Sequence, residues 1–210
     1  MDLSQKSTVN GVAILLLLAA ISQPIYTALY LGAPDVDRSF LWGLEGLIFV
    51  LTAAFAGSAL VMAKRYSLGF SAIAFAAVLN VVQVGVGLTQ FGPFREAAEA
   101  NEALGGVAFS VVAFSFFGYN AAKILLGLAA IVFGMAKMNA GGKAIGGLTL
   151  LVGVVAFVAN TLVMMFGLEG FLSPRIAGAS GVLATLLLTI CLFGWSQDWS
   201  APRKVVHYLS

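Results

Sequence analysis

The sequence GVAFSVVAFSFFGYNAAKILLGLAAIVFGMAKM, residues 106–138, is a run of apolar residues interrupted once, at 118–123 (GYNAAK). As one α-helix it would be about 48 Å long, against a hydrocarbon core of about 30 Å. Either this helix tilts strongly, or a short apolar piece at 107–117 meets a span of about 119–138 near the interruption. In both cases Lys123 lies within the membrane, where an unpartnered charge costs roughly 2.5–3.5 kcal/mol. The stretch therefore predicts a membrane protein with a polar interior.

The composition is that of an integral membrane protein. Hydrophobic residues make up 60% of the 210 residues and charged residues only 10%, against roughly 25% charged in globular proteins. The mean hydropathy is +1.00. A net charge of +2 provides no basic patch for phosphates, which excludes a nucleic-acid partner. The single cysteine, Cys191, excludes a disulfide or a cysteine metal site within the chain.

Hydropathy predicts an all-α fold, a polytopic helical bundle with six transmembrane helices. The predicted spans are 10–31, 40–63, 68–91, 118–138, 144–168 and 176–195. Between the third and fourth spans, residues 92–117 predict a short helix on the outer surface, followed by a re-entrant or extended segment. Residues 197–210 predict a short basic cytoplasmic tail at the surface of anionic lipid.

The charged residues of the connections sort by side of the membrane. One side is basic, with Lys6, Lys64, Arg65, Lys137, Lys143, Arg203 and Lys204. The other side is mostly acidic, with Asp35, Asp37, Glu96, Glu99, Glu102 and Glu169. By the positive-inside rule we expect a multi-pass protein of the cell membrane with both termini cytoplasmic. Aromatic residues near the outer boundary, Trp42 among them, are interpreted as interface anchors.

Amide side chains recur at helical spacing along the predicted spans. The pattern Asn-x6-Gly-Leu begins at Asn80, Asn120 and Asn160, and Gln83 shares a helix face with Asn80. Counting from the basic ends of the spans places Asn80 and Asn160 near the bilayer midplane, and Gln23 of the first span lies at a similar depth. We therefore predict a polar layer at the midplane. The alternative is that these amides only join helices, at about 0.6 kcal/mol per hydrogen bond.

A weak repeat relates the second and third spans to the fourth and fifth. Met62-Ala63-Lys64 recurs as Met135-Ala136-Lys137, each before a span that carries one of the asparagines. Repeats of this kind are common in transporters.

Glu45 is the predicted partner of Lys123. Glu45 lies 19 residues from Lys64 and Lys123 lies 14 residues from Lys137, a difference of about 7.5 Å in depth that a lysine side chain can largely cover. The alternative is that Glu45 lies at the interface and Lys123 snorkels outward. The predicted substrate-binding residues are Gln23, Glu45, Asn80, Gln83, Tyr119, Asn120, Lys123 and Asn160.

These residues predict a channel- or transporter-like protein that moves a small polar or ionic solute. The alternative is a non-catalytic accessory subunit or lipid-binding scaffold, which rows of small residues such as Ala53-x3-Gly57 and Ala177-x3-Gly181 also suit. The expected partners are membrane lipid, a small-molecule or ion ligand, and either further copies of the chain or other subunits. A cavity reaching Asn80 would favour transport, whereas a tightly packed interior with an exposed groove of small residues would favour the scaffold.

No enzyme is expected. The one histidine, His207, lies in the tail, and the sequence has no His, Cys or carboxylate cluster with the spacing of a metal site. We predict no catalytic residue, no metal and no cofactor.

Overall fold

The computed structural model describes residues 3–33, 36–63 and 65–193. Within these ranges the chain is helical and has no strand. The α-helices are α1 (Gln5–Gly32), α2 (Ser39–Met62), α3 (Ser67–Ala100), α4 (Gly105–Asn139), α5 (Lys143–Phe166) and α6 (Pro174–Leu192). All are long and apolar enough to cross a membrane. The predicted tail 197–210, the end of the predicted sixth span and Lys64 lie outside the described residues.

Five of these helices form a ring. Consecutive helices pack against each other along the chain, and α6 also packs against α4 and α1. The ring therefore runs α1, α2, α3, α4, α6, with α5 outside it against α4 and α6. An apolar cluster fills the half of the bundle nearest the start of α1. Its larger members are Val9, Val12, Leu16, Phe70, Ile73, Leu126, Phe133, Leu188 and Leu192.

The segment 92–117 differs from its predicted form. We expected a separate outer helix, but α3 continues to Ala100 and α4 begins at Gly105, with a 3₁₀ turn, Glu102–Leu104, between them. Pro93 removes only one backbone donor from α3, and the alanine-rich segment after it has high helix propensity. Asn101 ends α3, and its side chain accepts a hydrogen bond from the backbone of Ala103.

The predicted interruption at 118–123 leaves α4 intact. Within the continuous helix, Asn120 Nδ2 donates to the carbonyl oxygen of Phe116, 2.7 Å away, one turn earlier. With 35 residues, α4 is about 52 Å long at ~1.5 Å per residue. Of the two forms expected for this stretch, the unbroken helix is the one observed.

Glycines bring α4 and α5 into backbone contact. A Cβ on Gly127 would lie 3.0 Å from the carbonyl oxygen of Gly153, and a Cβ on Gly134 would lie 2.9 Å from that of Gly146. These glycines follow each other at intervals of seven residues on both helices, which keeps them on one face. We call this contact the glycine seam. It holds α5 against one face of α4, so that the opposite face of α4 is directed into the ring.

Candidate functional site

A lysine, a glutamine and a glutamate from three helices form one hydrogen-bonded chain inside the ring. Lys123 Nζ on α4 donates to Gln23 Oε1 on α1 at 2.6 Å. Gln23 Nε2 donates in turn to Glu45 Oε1 on α2 at 2.9 Å. The exposed fractions of these residues are 1% for Lys123, 8% for Gln23 and 5% for Glu45. We call these three residues the polar bridge.

The polar bridge modifies the predicted pairing of Lys123 with Glu45. The two charged side chains belong to one cluster, as expected, but the contact between them goes through the carboxamide of Gln23. A carboxamide has an acceptor oxygen and a donor nitrogen. It therefore bonds an ammonium and a carboxylate at the same time without carrying charge itself.

The direction of the Lys123 side chain follows from helix geometry. In an α-helix the Cα–Cβ bond tilts toward the N-terminus, so Lys123 extends toward the turn that precedes it. Its Nζ lies 5.1 Å from the centre of the Tyr119 ring, four residues earlier, a cation–π distance. Both residues lie against glycines of α6, because Gly181 adjoins the lysine stem and Gly178 adjoins the tyrosine hydroxyl.

Replacing Gly181 by alanine should destabilise the bundle by about 1–3 kcal/mol, since the new methyl would lie 2.7 Å from Lys123 Cδ and force the lysine stem to shift. The gain in helix propensity, roughly 0.5–1 kcal/mol, does not offset this. Gly147→Ala on α5 is the control, because a Cβ there meets nothing within 4 Å. Thermal unfolding in one detergent measures both variants. Equal stability of the two variants would show that the Lys123 stem does not require a glycine at position 181.

Aromatic side chains lie one turn from the polar bridge, on the side away from the apolar cluster. Tyr26 follows Gln23 by three residues and Trp42 precedes Glu45 by three. The Trp42 ring centre lies 5.2 Å from that of Tyr26 and 5.5 Å from that of Phe91. We call Tyr26, Trp42 and Phe91 the aromatic layer. Trp42 was interpreted as an interface anchor, but its ring is half-buried among these partners.

Glycine also shapes this layer. The Trp42 ring lies directly against Gly87 of α3, where a methyl group would overlap it. Beyond the layer, the guanidinium of Arg38 lies 5.8 Å from the centre of the Tyr26 ring and 5.3 Å from that of the Tyr30 ring. The aromatic layer thus lies between a cation and the polar bridge.

The asparagines expected at the midplane are buried, but each is held by its own helix. The Nδ2 atoms of Asn80, Asn120 and Asn160 donate to the carbonyl oxygens four residues earlier. Asn160 Nδ2 also donates to the carbonyl of Ala177 on α6, at 3.0 Å. The Oδ1 atoms of Asn80 and Asn160 are buried and accept no hydrogen bond from the described part of the chain.

The eight predicted binding residues therefore divide into two groups. Gln23, Glu45, Tyr119 and Lys123 come together in and around the polar bridge. Asn80, Asn120 and Asn160 take part in helix packing, and Gln83 is half-buried on α3 with its Nε2 3.4 Å from the Oγ of Ser115. Gly181 was predicted only as part of a row of small residues and Trp42 only as an interface anchor, and neither was assigned to the site; Gly178 and Tyr26 were not singled out. The spacing of three residues between the two glycines was the available signal.

Compared with models of protein families, with curated proteins and with solved structures, the chain has no match. Its function therefore has to be inferred from the contacts described above.

Proposed function

We propose that this chain is a multi-pass transport protein of the cell membrane that moves a small polar or ionic solute and binds it at the polar bridge. The observation that carries the proposal is the hydrogen-bonded chain from Lys123 through Gln23 to Glu45. Charged residues within apolar helices are costly and characteristically belong to solute or ion pathways. The bridge joins α4 to α1 and, through Gln23, to α2, so a relative movement of these helices would change its hydrogen bonds.

The charge distribution supports an orientation with both termini in the cytoplasm. Lys6, Arg65, Lys137 and Lys143 lie at the end of the bundle where α1 begins, and basic residues favour the cytoplasmic side. The apolar cluster then closes the cytoplasmic half of the ring, while the polar bridge and the aromatic layer lie toward the outside. A solute would enter past the aromatic layer and leave only after the apolar half had opened.

Pro24 places a weak point in α1 beside the bridge. It follows Gln23 directly and has no backbone N–H, so the carbonyl of Ala20 lacks its usual partner in the helix. Prolines of this kind are common sites of bending in membrane helices. Bending here would move Gln23 relative to Lys123 and Glu45, which is the movement that opening of the site requires.

Vesicle swelling provides the test. The full chain is reconstituted into proteoliposomes, which are shrunk osmotically and returned to volume in glycerol, urea, glycine, potassium acetate or methylammonium chloride. We expect at least one solute to enter faster than in protein-free vesicles, and Lys123→Met to abolish the difference. The matched control is Lys143→Met, which removes an exposed lysine at the start of α5. Equal entry rates with folded Lys123→Met and wild-type protein, or no accelerated solute, would reject the proposal.

A second candidate function, an accessory subunit or lipid-binding scaffold, is favoured by a groove of small residues on the outer face of α2, the feature expected above for a scaffold. It is lined by Ala53, Ala54, Gly57, Ser58, Val61 and Met62. These residues lie on one face of the helix, opposite Glu45, Phe49 and Ala56, which face the ring. Small residues of this kind allow another helix or a lipid chain to approach closely.

Gly57→Trp separates the two candidates, because it places a large side chain in the groove at a position where a Cβ meets nothing within 4 Å. If the chain is an accessory subunit, the complex extracted from native membranes with mild detergent should be reduced by Gly57→Trp to the size of one protomer. If it is a transporter that acts through the polar bridge, the swelling rate should stay at the wild-type value.

A further inference from the structure

The carboxamide of Gln23 provides both halves of a zwitterion's hydrogen bonding in one place. Its oxygen accepts from the Lys123 ammonium at 2.6 Å, as a carboxylate would. Its nitrogen donates to the Glu45 carboxylate at 2.9 Å, as an ammonium would. Lys123 and Glu45 therefore form a site for an acceptor and a donor group that lie close together. In this structure the Gln23 carboxamide occupies that site.

Resting on the transport function proposed above, we infer that the solute is a small zwitterion of the amino-acid class, whose carboxylate binds Lys123 and whose ammonium binds Glu45 in place of the Gln23 carboxamide. No covalent step is involved. The protein provides one fixed positive and one fixed negative group, and the solute provides their complements.

Charge balance is the reason for choosing a zwitterion. Once Gln23 moves away, both Lys123 and Glu45 lose a hydrogen-bond partner in a buried site, which is costly for charged groups. An anion would compensate only the lysine and would leave a net negative charge in the cluster. A cation would compensate only the glutamate. A zwitterion pairs both groups and adds no net charge to a site of low dielectric constant.

The surroundings restrict the size of this solute. The stem of Lys123 is packed against Gly181. Toward the end of the bundle where α1 begins, the apolar cluster fills the ring of helices. On the entry side the Trp42 and Tyr26 rings are in contact. These walls suit a molecule with little or no side chain, and the aromatic layer, with Trp42 about one helical turn from Glu45, favours the ammonium end by cation–π attraction.

Thermal unfolding of the purified full chain in nanodiscs tests the inference. The probes are glycine and β-alanine, with acetate and methylammonium as the separate halves, all at equal ionic strength. A zwitterion at a hundredfold excess over its Kd should raise Tm by roughly 5–10 °C, whereas neither half alone should do so. Lys123→Met and Glu45→Gln should each lose the shift.

Gln23→Ala removes the side chain that competes with the solute for Lys123 and Glu45. The glycine concentration that gives half of the maximal Tm shift should therefore be lower than in the wild type. Gln90→Ala, at an exposed position on α3, should leave that concentration unchanged. If Gln23→Ala does not fold, the wild-type comparison of glycine with acetate and methylammonium decides alone. A shift with acetate equal to that with glycine, or no shift with either zwitterion, would overturn the inference.

Failure of this inference is distinguishable from failure of the transport proposal. If the zwitterions give no shift while another solute still enters proteoliposomes in a Lys123-dependent way, the solute class is wrong and transport stands. If in addition no solute depends on Lys123 in the swelling assay, both are wrong.

Discussion

Replacing Gly146 by leucine should destabilise the protein by at least about 3 kcal/mol and lower the yield of folded monodisperse material. A Cβ at Gly146 would lie 2.6 Å from the carbonyl oxygen of Gly134 and 2.6 Å from the backbone nitrogen of Met138. Backbone atoms cannot rotate away as a side chain can. The added side chain therefore has to push α5 away from α4 along the whole glycine seam.

The neighbouring residue provides the control. A Cβ on Gly147 meets nothing within 4 Å, so Gly147→Leu should change stability by no more than about 0.5–1 kcal/mol. Gly134→Leu, on the opposite side of the seam, should reproduce the loss seen with Gly146→Leu. Size-exclusion chromatography and thermal unfolding in one detergent measure all three variants. If Gly146→Leu is as stable as Gly147→Leu, the two helices are not in backbone contact.

Removing one charge of the polar bridge should cost more than removing both. Lys123→Met leaves the Glu45 carboxylate buried with only Gln23 as partner, and Glu45→Gln leaves the lysine in the same condition. Each single change should cost about 3–5 kcal/mol, the usual cost of leaving one charge of a buried pair uncompensated. The double variant can keep the hydrogen bond of Gln23 Nε2 to residue 45 on α2 without a buried charge, so its cost should be lower than that of either single variant.

A double-mutant cycle measures this coupling. The comparison pair is Arg95 with Glu99, an ion pair of 3.7 Å on α3 with side chains 75% and 72% exposed, for which the coupling should be at most about 1 kcal/mol. Free energies come from unfolding in mixed micelles with increasing SDS. Costs of Lys123→Met and Glu45→Gln that simply add would show that Gln23 does not couple the two charges.

The spans were predictable because they depend on a property that is local in sequence. A run of about 20 apolar residues identifies a helix that can cross a membrane, and the observed helices overlap every predicted span. The ends of α3 and α4 were not predictable in this way. Pro93 and Gly118 are breakers in isolation, but one missing donor or one glycine is tolerated when the flanking turns are good helix formers.

The polar bridge was predictable only in part. Depth counted along the sequence placed Lys123 near Glu45, since rise per residue is nearly constant. The intervening role of Gln23 depends on the packing of α6 against both α1 and α4, and no local pattern encodes that long-range contact. The asparagines were grouped by depth, which does not determine their hydrogen-bond partners. An asparagine within a helix can bond the preceding turn of its own helix, so matching depth does not imply that Asn80, Asn120 and Asn160 share a site.

The unbroken α4 has a mechanical consequence. From Gly105, at the turn after α3, to Lys123 the helix is an uninterrupted arm about 27 Å long. A force applied at the turn between α3 and α4 would rotate this part of α4 about the glycine seam, where α4 contacts α5. The Lys123 ammonium would then move relative to α1. A molecule bound at the turn between α3 and α4 would therefore displace the Lys123 ammonium from Gln23 without touching either residue.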